Sequence, residues 1–138
     1  MAGLSEFELI KRYFEPISNA SRNTDRCEVL LGIGDDCGMV SLPPGKTLCF
    51  SIDTLVEGVH FPCKAPPFQL AYRALAVAMS DLAAMGAHPF FFTLALTLPD
   101  THTEWLKLFS EGLKTLADQY EMPLLGGDTT KGPLTISI

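Results

Sequence analysis

The sequence has few cations and no long apolar run. Its 16 Asp and Glu residues outnumber its 10 Lys and Arg residues, which gives a formal net charge of −6. An acidic chain is a poor match for a nucleic-acid backbone or an anionic membrane surface, so we expect neither as a partner. The longest strongly apolar stretch, residues 90–98, is too short to cross a bilayer as a helix.

The sequence also lacks paired cysteine motifs. Its four cysteines are Cys27, Cys37, Cys49 and Cys63, with no C-x-x-C pair and no histidine at a zinc-binding spacing. We therefore expect reduced thiols and no zinc site. The N-terminus has no basic segment followed by an apolar one, so no signal peptide is expected and the predicted location is cytoplasmic.

Both common phosphate-binding loops are missing. Gly45-Lys46-Thr47 resembles the end of a P-loop, but Val40 occupies the position of the required glycine. Gly32-x-Gly34 begins like a dinucleotide fingerprint, but Cys37 stands where the third glycine belongs. The carboxylates of Asp35-Asp36 would also repel a pyrophosphate. A nucleotide would need a different kind of site.

What the sequence does contain is a set of aspartates in glycine-rich or apolar surroundings. They are Asp35, Asp36, Asp53, Asp81 and Asp128. Burying a carboxylate without a partner costs roughly several kcal/mol, and few cations are near these residues in the sequence. Hard divalent cations would compensate the charge. Because Mg²⁺ prefers one or two carboxylates plus water and phosphate oxygens, four carboxylates would suit two or more ions.

Most of these residues also have an ordinary structural interpretation. Asp35-Asp36 after glycine is typical of a turn, Asp128 can form an Asx-turn, and Asp53 ends a predicted strand. Asp81 is more specific, because the helix predicted at 69–85 has Arg73 as its only other charge. A single histidine such as His60 is more often a structural or surface residue than a ligand.

The order of elements predicts an α/β (α+β) domain with a mixed, mainly antiparallel sheet backed by two main helices. We predict strands at 29–33, 47–53, 90–98 and 134–138, a loop at 18–26 and a turn at 43–45. An N-terminal helix is predicted to start at the Ser5–Glu8 capping box and to end at Pro16, with Phe7, Ile10 and Phe14 on its apolar side. Two further helices are predicted, one at 67–85 and one from the Thr101–Glu104 capping box to Tyr120. Alternation along 47–53 places Ser51 and Asp53 on one face of their strand, as two ligands of one ion would require.

Four segments resemble thiamine-monophosphate kinase, in order and at matching spacings. They are residues 31–37 (LGIGDDC), 51–61 (SIDTLVEGVHF), 80–87 (SDLAAMGA) and 126–130 (GGDTT). The resemblance covers essentially the whole chain and corresponds to the N-terminal half of that enzyme. It implies that residues 1–138 form the Mg-ATP-binding and dimerisation domain of an aminoimidazole ribonucleotide synthetase-like fold, with a C-terminal domain absent from this chain.

The resemblance implies direct, Mg²⁺-assisted transfer of a phosphoryl group from ATP to thiamine monophosphate, giving thiamine diphosphate, with no covalent phosphoenzyme. By position, the implied ligands of several Mg²⁺ ions are Asp36, Ser51, Asp53, Asp81 and Asp128. Gly127 and Asp128 would lie against the ATP phosphates, where a side chain at 127 would block close approach, and His60 would contact thiamine monophosphate. Two departures from the family pattern affect the ligand geometry: Ile52 replaces a common Thr, and Ala78 replaces a common Asn.

The resemblance also implies a homodimer in which the sheets of two subunits pair. The strand faces of 92–98 and 134–138 offer apolar surface for this pairing. Two other functions stay open at this point. One is a sister enzyme of the same superfamily that acts on a purine precursor, and the other is a non-catalytic metal-binding dimerisation module.

Overall fold

The N-terminal part of the chain is one continuous helical segment. The computed structural model describes residues 5–18 and 28–138, and it begins with helix α1 (Glu6–Leu9), a π-helical turn (Ile10–Phe14) and helix α2 (Glu15–Ser18). The predicted capping box is confirmed, because the Ser5 hydroxyl donates to Glu8 Oε2 at 2.7 Å and the Glu8 amide donates to Ser5 Oγ at 3.4 Å. The predicted loop at 18–26 lies outside the described residues except for Ser18. Cys27 also lies outside them.

Two predictions for this segment are wrong. Pro16 does not end the helix, because it follows directly on the π turn, where the helix changes register and a residue without an N–H is accommodated. The predicted apolar side is wrong at Phe7, which is 83% exposed, but Phe14 is buried as predicted, together with Leu9, Tyr13 and Ile17. The buried positions Leu9, Tyr13 and Ile17 recur every four residues, so the buried face includes Leu9 and not the predicted Phe7.

The strands form two sheets. Strands β1 (Glu28–Leu31) and β2 (Met39–Ser41) make an antiparallel hairpin. The main sheet has the order β3–β6–β4–β5, with β3 at Thr54–Val56, β4 at Phe92–Leu98, β5 at Leu124–Lys131 and β6 at Thr135–Ser137. β6 is antiparallel to both of its neighbours, and β5 is parallel to β4. The predicted mixed, mainly antiparallel sheet is confirmed.

Two helices cover one face of the main sheet, also as predicted. Helix α3 spans Pro67–Ala84 and ends before Gly86, whose φ of 65° allows the left-handed stop. Helix α4 (Thr103–Gln119) is the crossover between the parallel strands β4 and β5. Its predicted capping box is wrong, because the N-cap residue is His102 and no side chain caps the helix. In the described part of the chain, no helix is long and apolar enough to cross a bilayer.

The core lies between α3, α4 and one face of the sheet. Alternation along β4 buries Phe92, Leu94, Leu96 and Leu98 in one cluster with residues of both helices. The predicted use of this apolar face for dimerisation is therefore wrong, because the face is already covered within the chain. The opposite face of the sheet is open and carries hydroxyl groups, those of Thr54, Thr93, Thr97, Thr130, Thr135 and Ser137.

The predicted strand at 47–53 is wrong over most of its length. Its one ladder contact is at Asp53, whose amide donates to the Ile138 carbonyl at 2.9 Å, and the Ile138 amide donates back at 2.9 Å. The residues before Asp53 have no strand opposite them in the described chain. Leu48, Phe50 and Ile52 accordingly face solvent, with Phe50 83% exposed.

Candidate metal and nucleotide site

Ser51 and Asp81 meet between the segment before β3 and the last turn of α3. The Ser51 hydroxyl donates a hydrogen bond of 2.7 Å to Asp81 Oδ2. The two residues are 30 positions apart in the sequence, so the fold brings them together. The contact joins two of the residues predicted as metal ligands. Their role as metal ligands stays a prediction.

Asp53 lies two residues further along, and one of its carboxylate oxygens has no partner. Asp53 Oδ2 is buried and makes no hydrogen bond to any described part of the chain. The backbone pairing with Ile138 places the Asp53 side chain on the covered face of the sheet, where Ile138 and Leu55 are buried. A buried anionic oxygen without a partner is costly, so a cation at this point would stabilise the structure.

The other aspartates are exposed, which corrects the prediction of buried charge. Asp36, Asp81 and Asp128 all lie on the surface. Asp81 lies on the same face of α3 as the buried Ala74 and Ala78, and it is exposed because it is in the last turn, beyond the buried part of the helix. Its position in the last turn is still informative, because a negative charge is unfavourable at a helix C-terminus and α3 has no basic residue in that turn.

Asp36 and Asp128 belong to a second part of the molecule. Gly34, with a φ of 120°, turns the chain after β1, and the Asp36 amide donates to Asp35 Oδ1 at 2.9 Å. Asp35 thus shapes the turn. Gly38 packs against Leu125, because a Cβ at Gly38 would lie 2.6 Å from Leu125 Cγ. The turn therefore lies beside the start of β5, the strand that carries Asp128.

The sheet separates these two groups. The register aligns Thr54, Ser137, Ala95 and Asp128 in one row across four strands. With strands about 4.8 Å apart, Thr54 and Asp128 are roughly 14 Å apart. Asp128 also shares the open face with Ala95, whereas Asp53 points to the covered face. Within the described residues no three His, Cys, Asp or Glu side chains lie close enough to hold one metal ion. The chain thus does not gather the predicted ligands at one point.

Gly127 has a structural reason of its own for being glycine. Its φ is 152°, and a Cβ at this position would lie 1.8 Å from the Leu94 carbonyl oxygen on β4. No side chain can occupy that space without displacing the backbone pairing of β4 and β5. The predicted reason, close approach of ATP phosphates, is not needed to explain this glycine. An ATP contact at Gly127 stays a prediction.

His60 lies in the turn that follows β3. Its side chain is exposed, and its Nδ1 accepts a hydrogen bond of 3.0 Å from the Val56 amide. Sequence reasoning missed this contact because it depends on the backbone at the edge of the sheet.

Two of the cavities that the described residues line are candidates for ligand binding. One of about 700 Å³ lies between residues 42–52, the second half of α3 and residues 86–93, and Ser51 is among its lining residues. Most of its wall is apolar, including Leu75, Leu82 and Met122. The other, of about 410 Å³, lies between the N-terminal helical segment and α4. An apolar wall does not suit phosphate groups, so the carboxylates beside the larger cavity are the better candidates for phosphate and metal chemistry.

Comparison with known proteins decides the family. Residues 34–138 match the family described as AIR synthase related protein, N-terminal domain. The chain belongs to this family. The AIR synthase related domain is 52% identical over 133 residues to thiamine-monophosphate kinase of Escherichia coli (strain K12), an alignment that covers 96% of this chain and 39% of that protein. The resemblance read from the four motifs is thereby confirmed.

Solved structures agree with this relationship. The AIR synthase related domain superimposes on thiamine-monophosphate kinase from Stenotrophomonas maltophilia K279a with a TM-score of 0.80 and 43% identity, over 99% of this chain and 41% of that one. It also matches AaThiL complexed with AMPPCP and TMP, with a TM-score of 0.60 and 31% identity over 63% of this chain and 29% of that one. The chain spans about two fifths of the length of the curated relatives it matches.

Proposed function

We propose that the protein containing this domain is a thiamine-monophosphate kinase, which transfers a phosphoryl group from ATP to thiamine monophosphate and releases thiamine diphosphate. The family relationship and the relative complexed with AMPPCP and TMP support this reaction. The observation within the chain that carries the proposal is the buried, unpartnered oxygen of Asp53, close in sequence to the Ser51–Asp81 pair. A divalent cation would supply the partner that this oxygen lacks.

Magnesium fits the donors that this region offers. Carboxylate and hydroxyl oxygens are ligands that Mg²⁺ accepts, and it commonly takes few of them because substrate phosphates complete its shell. We assign Asp53, Asp81 and Ser51 to one metal-holding group and Asp36 and Asp128 to another. When bound, the ions would supply the neutralisation of phosphate charge on which phosphoryl transfer depends.

The chain's own residues have mainly positioning roles in this proposal. The Ser51 hydroxyl holds the Asp81 carboxylate in one orientation through its 2.7 Å hydrogen bond. The ladder contact with Ile138 fixes the Asp53 backbone, so its buried oxygen has a defined direction. Asp128 and the glycine before it lie on an exposed edge strand, where ATP phosphates can approach the open face of the sheet.

We also propose that the protein is a homodimer and that residues 47–54 form the contact. Strand β3 is an edge of the main sheet, and the segment before it exposes Leu48, Phe50 and Ile52 at alternate positions. An exposed apolar edge invites another strand, and the same edge of a second copy can pair with it across a two-fold axis. A second copy would cover these side chains and give residues 47–52 the partner strand that the chain lacks.

The exposed thiols support a reducing, cytoplasmic setting for this enzyme. Cys37, Cys49 and Cys63 are free and exposed, and such thiols persist where glutathione and thioredoxin keep them reduced. The net charge of −6 argues against nucleic acid and anionic membranes as partners, and it is compatible with small-molecule substrates.

An acceptor assay with the intact protein tests the reaction. With ATP and Mg²⁺, we expect thiamine monophosphate to be converted to thiamine diphosphate with stoichiometric ADP, and we expect no product when Mg²⁺ is chelated. Purine-precursor ribonucleotides are the comparison acceptors. Phosphorylation of one of these, with thiamine monophosphate left unchanged, would overturn the proposal.

A further inference from the structure

The larger cavity continues the line of strand β6. Its lining includes residues 47–52, which precede β3, and residues 89–93, which run into β4, with the second half of α3 as a floor. β6 lies between β3 and β4, so these two strands are two strand spacings apart, or roughly 10 Å. Ile138, the residue after β6, also lines the cavity. The cavity is therefore a gap one strand wide that begins where β6 ends.

On the β3 side, the odd-numbered residues face this gap. The Asp53 amide and carbonyl both pair with Ile138, and the Glu57 amide donates to a carbonyl on the β6 side at 3.1 Å. Because backbone groups alternate between the two edges of a strand, the even-numbered residues face the outer edge. The Ser51 side chain bonds to α3, on the covered face that Asp53 also faces, so the alternation continues before β3. Cys49 and Ser51 thus direct their amides and carbonyls into the gap.

On the β4 side, the odd-numbered residues face the gap as well. The Phe92 amide donates to the Pro123 carbonyl at 3.1 Å, which lies on the side of β5. Since successive residues of a strand direct their backbone groups to opposite edges, those of Phe91 and Thr93 point away from β5. The two walls of the gap therefore present backbone donors and acceptors to each other.

These facing backbone groups lack partners. Cys49, Ser51 and Phe91 make no backbone hydrogen bond to any residue that the structure describes. Buried backbone groups are almost always paired, and a strand offers donors and acceptors on both of its edges. A strand in the gap would satisfy both walls at once. A small apolar ligand would cover the floor but leave these groups unpaired.

The continuation of β6 is the occupant best placed to enter the gap. Ile138 lies at its mouth, so the next residue along the chain would emerge between the two walls. The chain spans about two fifths of the length of its curated relatives, which leaves further chain in an intact protein to supply the strand. A segment joined to the protein also has a higher effective concentration at the gap than a separate molecule.

We propose that the segment following Ile138 in the intact protein continues β6 through this cavity and pairs with residues 47–52 on one side and 91–93 on the other. The domain then extends past Ile138, and Ser51 of the candidate metal-holding group lies in a strand that is paired on its inner edge. The inference rests on the sheet and the cavity alone, so it does not depend on the proposed kinase function.

The register also specifies the character of this segment. In and beside β6 the buried side chains are those of Leu134, Ile136 and Ile138, at alternate positions. The second and fourth residues after Ile138 would therefore face the floor of the cavity, where Leu75 and Leu82 lie. We expect both to be uncharged in the sequence of the intact protein. A charged residue at either position would overturn the proposal, because the floor offers it no partner.

Residue-resolved amide hydrogen exchange of the intact protein tests the pairing directly. We expect the amides of Cys49, Ser51 and Phe91 to exchange about 100-fold or more slowly than in an unstructured chain, because a paired amide exchanges only when the strand opens. Phe91 is the decisive probe, since it lies on the wall away from the outer edge of β3. Exchange at the unstructured rate on either wall would overturn the proposal.

The proposed dimer contact is distinguished by which amides it protects. A second copy on the outer edge would protect the even-numbered amides of residues 47–52, which point away from the gap. In the double variant Phe50→Asp, Ile52→Asp we expect only these to lose protection, while the odd-numbered amides stay slow and the Leu96 amide reports an intact sheet. Loss at the odd-numbered amides with Leu96 still protected would make a second copy the occupant and overturn the proposal.

Discussion

Asp53 combines a defined backbone with an unsatisfied side chain. Its amide and carbonyl are both paired with Ile138, which fixes the backbone, while its buried Oδ2 has no partner in the described chain. A carboxylate held in this way destabilises the cation-free protein. Binding of a divalent ion would offset that cost, which links metal binding to stability.

The substitution Asp53→Asn tests this linkage. In the intact wild-type protein we expect Mg²⁺ to raise the Tm, because the ion binds the folded state alone. In Asp53→Asn the Mg²⁺-dependent rise should be lost, while the Tm without Mg²⁺ should not fall, because a neutral amide replaces a buried unpaired charge. Thermal unfolding with and without Mg²⁺ measures both quantities.

Asp118→Asn is the control for general electrostatic effects. Asp118 forms an exposed ion pair with Lys114 on α4 at 2.6 Å, and such pairs contribute little to stability. The Mg²⁺-dependent rise should be the same as in the wild type. An unchanged rise in Asp53→Asn would remove Asp53 from the metal-holding group.

The sequence identified the family, but it did not predict the surroundings of the candidate site residues. The motifs found the right family, and two of the predicted ligands, Ser51 and Asp81, are in contact. The expected burial was wrong for Asp81, because an apolar run of residues does not show how far along a helix the core extends, and the buried residues of α3 end at Ala78. The Val56–His60 contact could not be predicted, since it depends on which amide of an edge strand lacks a partner.

Among the elements, β5 shows a steric requirement most clearly. Gly126 and Gly127 are neighbours, but only Gly127 has a backbone atom of another strand where its Cβ would be. Gly127→Ala should therefore destabilise the fold by about 3 kcal/mol or more, because both the positive φ and the overlap with Leu94 oppose it. Urea unfolding of the intact protein measures the change.

Gly126→Ala is the matched control, because nothing lies within 4 Å of a Cβ at that position. We expect its stability to stay within about 0.5 kcal/mol of the wild type, as for a tolerated surface substitution. If Gly127→Ala unfolds at the same urea concentration as Gly126→Ala but loses ATP binding, the glycine would serve the nucleotide and not the sheet.

The first helix provides a prediction about pH. Hydrogen bonds from the Ser5 hydroxyl and then the Ser5 amide lower the pKa of Glu8 below its usual 4.5. A lowered pKa in the folded state means that this contribution to stability is present above pH 4.5 and is lost as the pH falls through the folded value. Ser5→Ala should lower the Tm at pH 7, and the difference from the wild type should shrink below pH 4.5.

Thr115→Ala removes a different helix hydroxyl and serves as the comparison. The Thr115 hydroxyl donates to the Glu111 carbonyl within α4 and caps no helix end. Its effect on the Tm should be small and should not depend on pH between 3 and 7. A Ser5→Ala effect that keeps its full size at low pH would mean that the hydroxyl acts without the Glu8 carboxylate.

These elements also show where local patterns fail to predict structure. Both capping boxes have the same sequence form, yet only Ser5–Glu8 makes the contacts, because the N-cap of helix α4 is His102, one residue later than its pattern predicts. Alternation predicted a strand at 47–53. Alternation shows that a segment suits a strand, but it does not show that a neighbouring strand is available to pair with it. Strand β4 has the same alternation and two partners, and its prediction is confirmed.

At the scale of the whole molecule, the separation of the two acidic groups is the main constraint on function. Asp53 and the Ser51–Asp81 pair are near β3, and Asp128 lies on the opposite edge strand and the opposite face. One bound ion cannot contact both groups in this chain. A ligand with several phosphates, or surfaces from a second copy and from the rest of the intact protein, would have to connect them.

The exposed edge before β3 leads to the last prediction, which concerns assembly. Phe50 and Ile52 are 83% and 74% exposed, so the double substitution Phe50→Asp, Ile52→Asp should not disturb the core. In a dimer paired through this edge, the two new carboxylates of one copy would face the two carboxylates of the other copy across the two-fold axis. We therefore expect the double variant to sediment as a monomer at concentrations where the intact wild-type protein is a dimer.

Phe7→Asp is the matched control for this experiment, because Phe7 is also 83% exposed but lies on α1, away from the edge strand. It should leave the dimer intact if the contact is specific to the edge. General hydrophobic association would instead be lowered equally by a charge at either exposed phenylalanine. Dissociation in both variants would indicate non-specific association. A dimer that persists in the double variant would place the contact elsewhere, and the open hydroxyl-bearing face of the sheet would then be the surface that remains to pair.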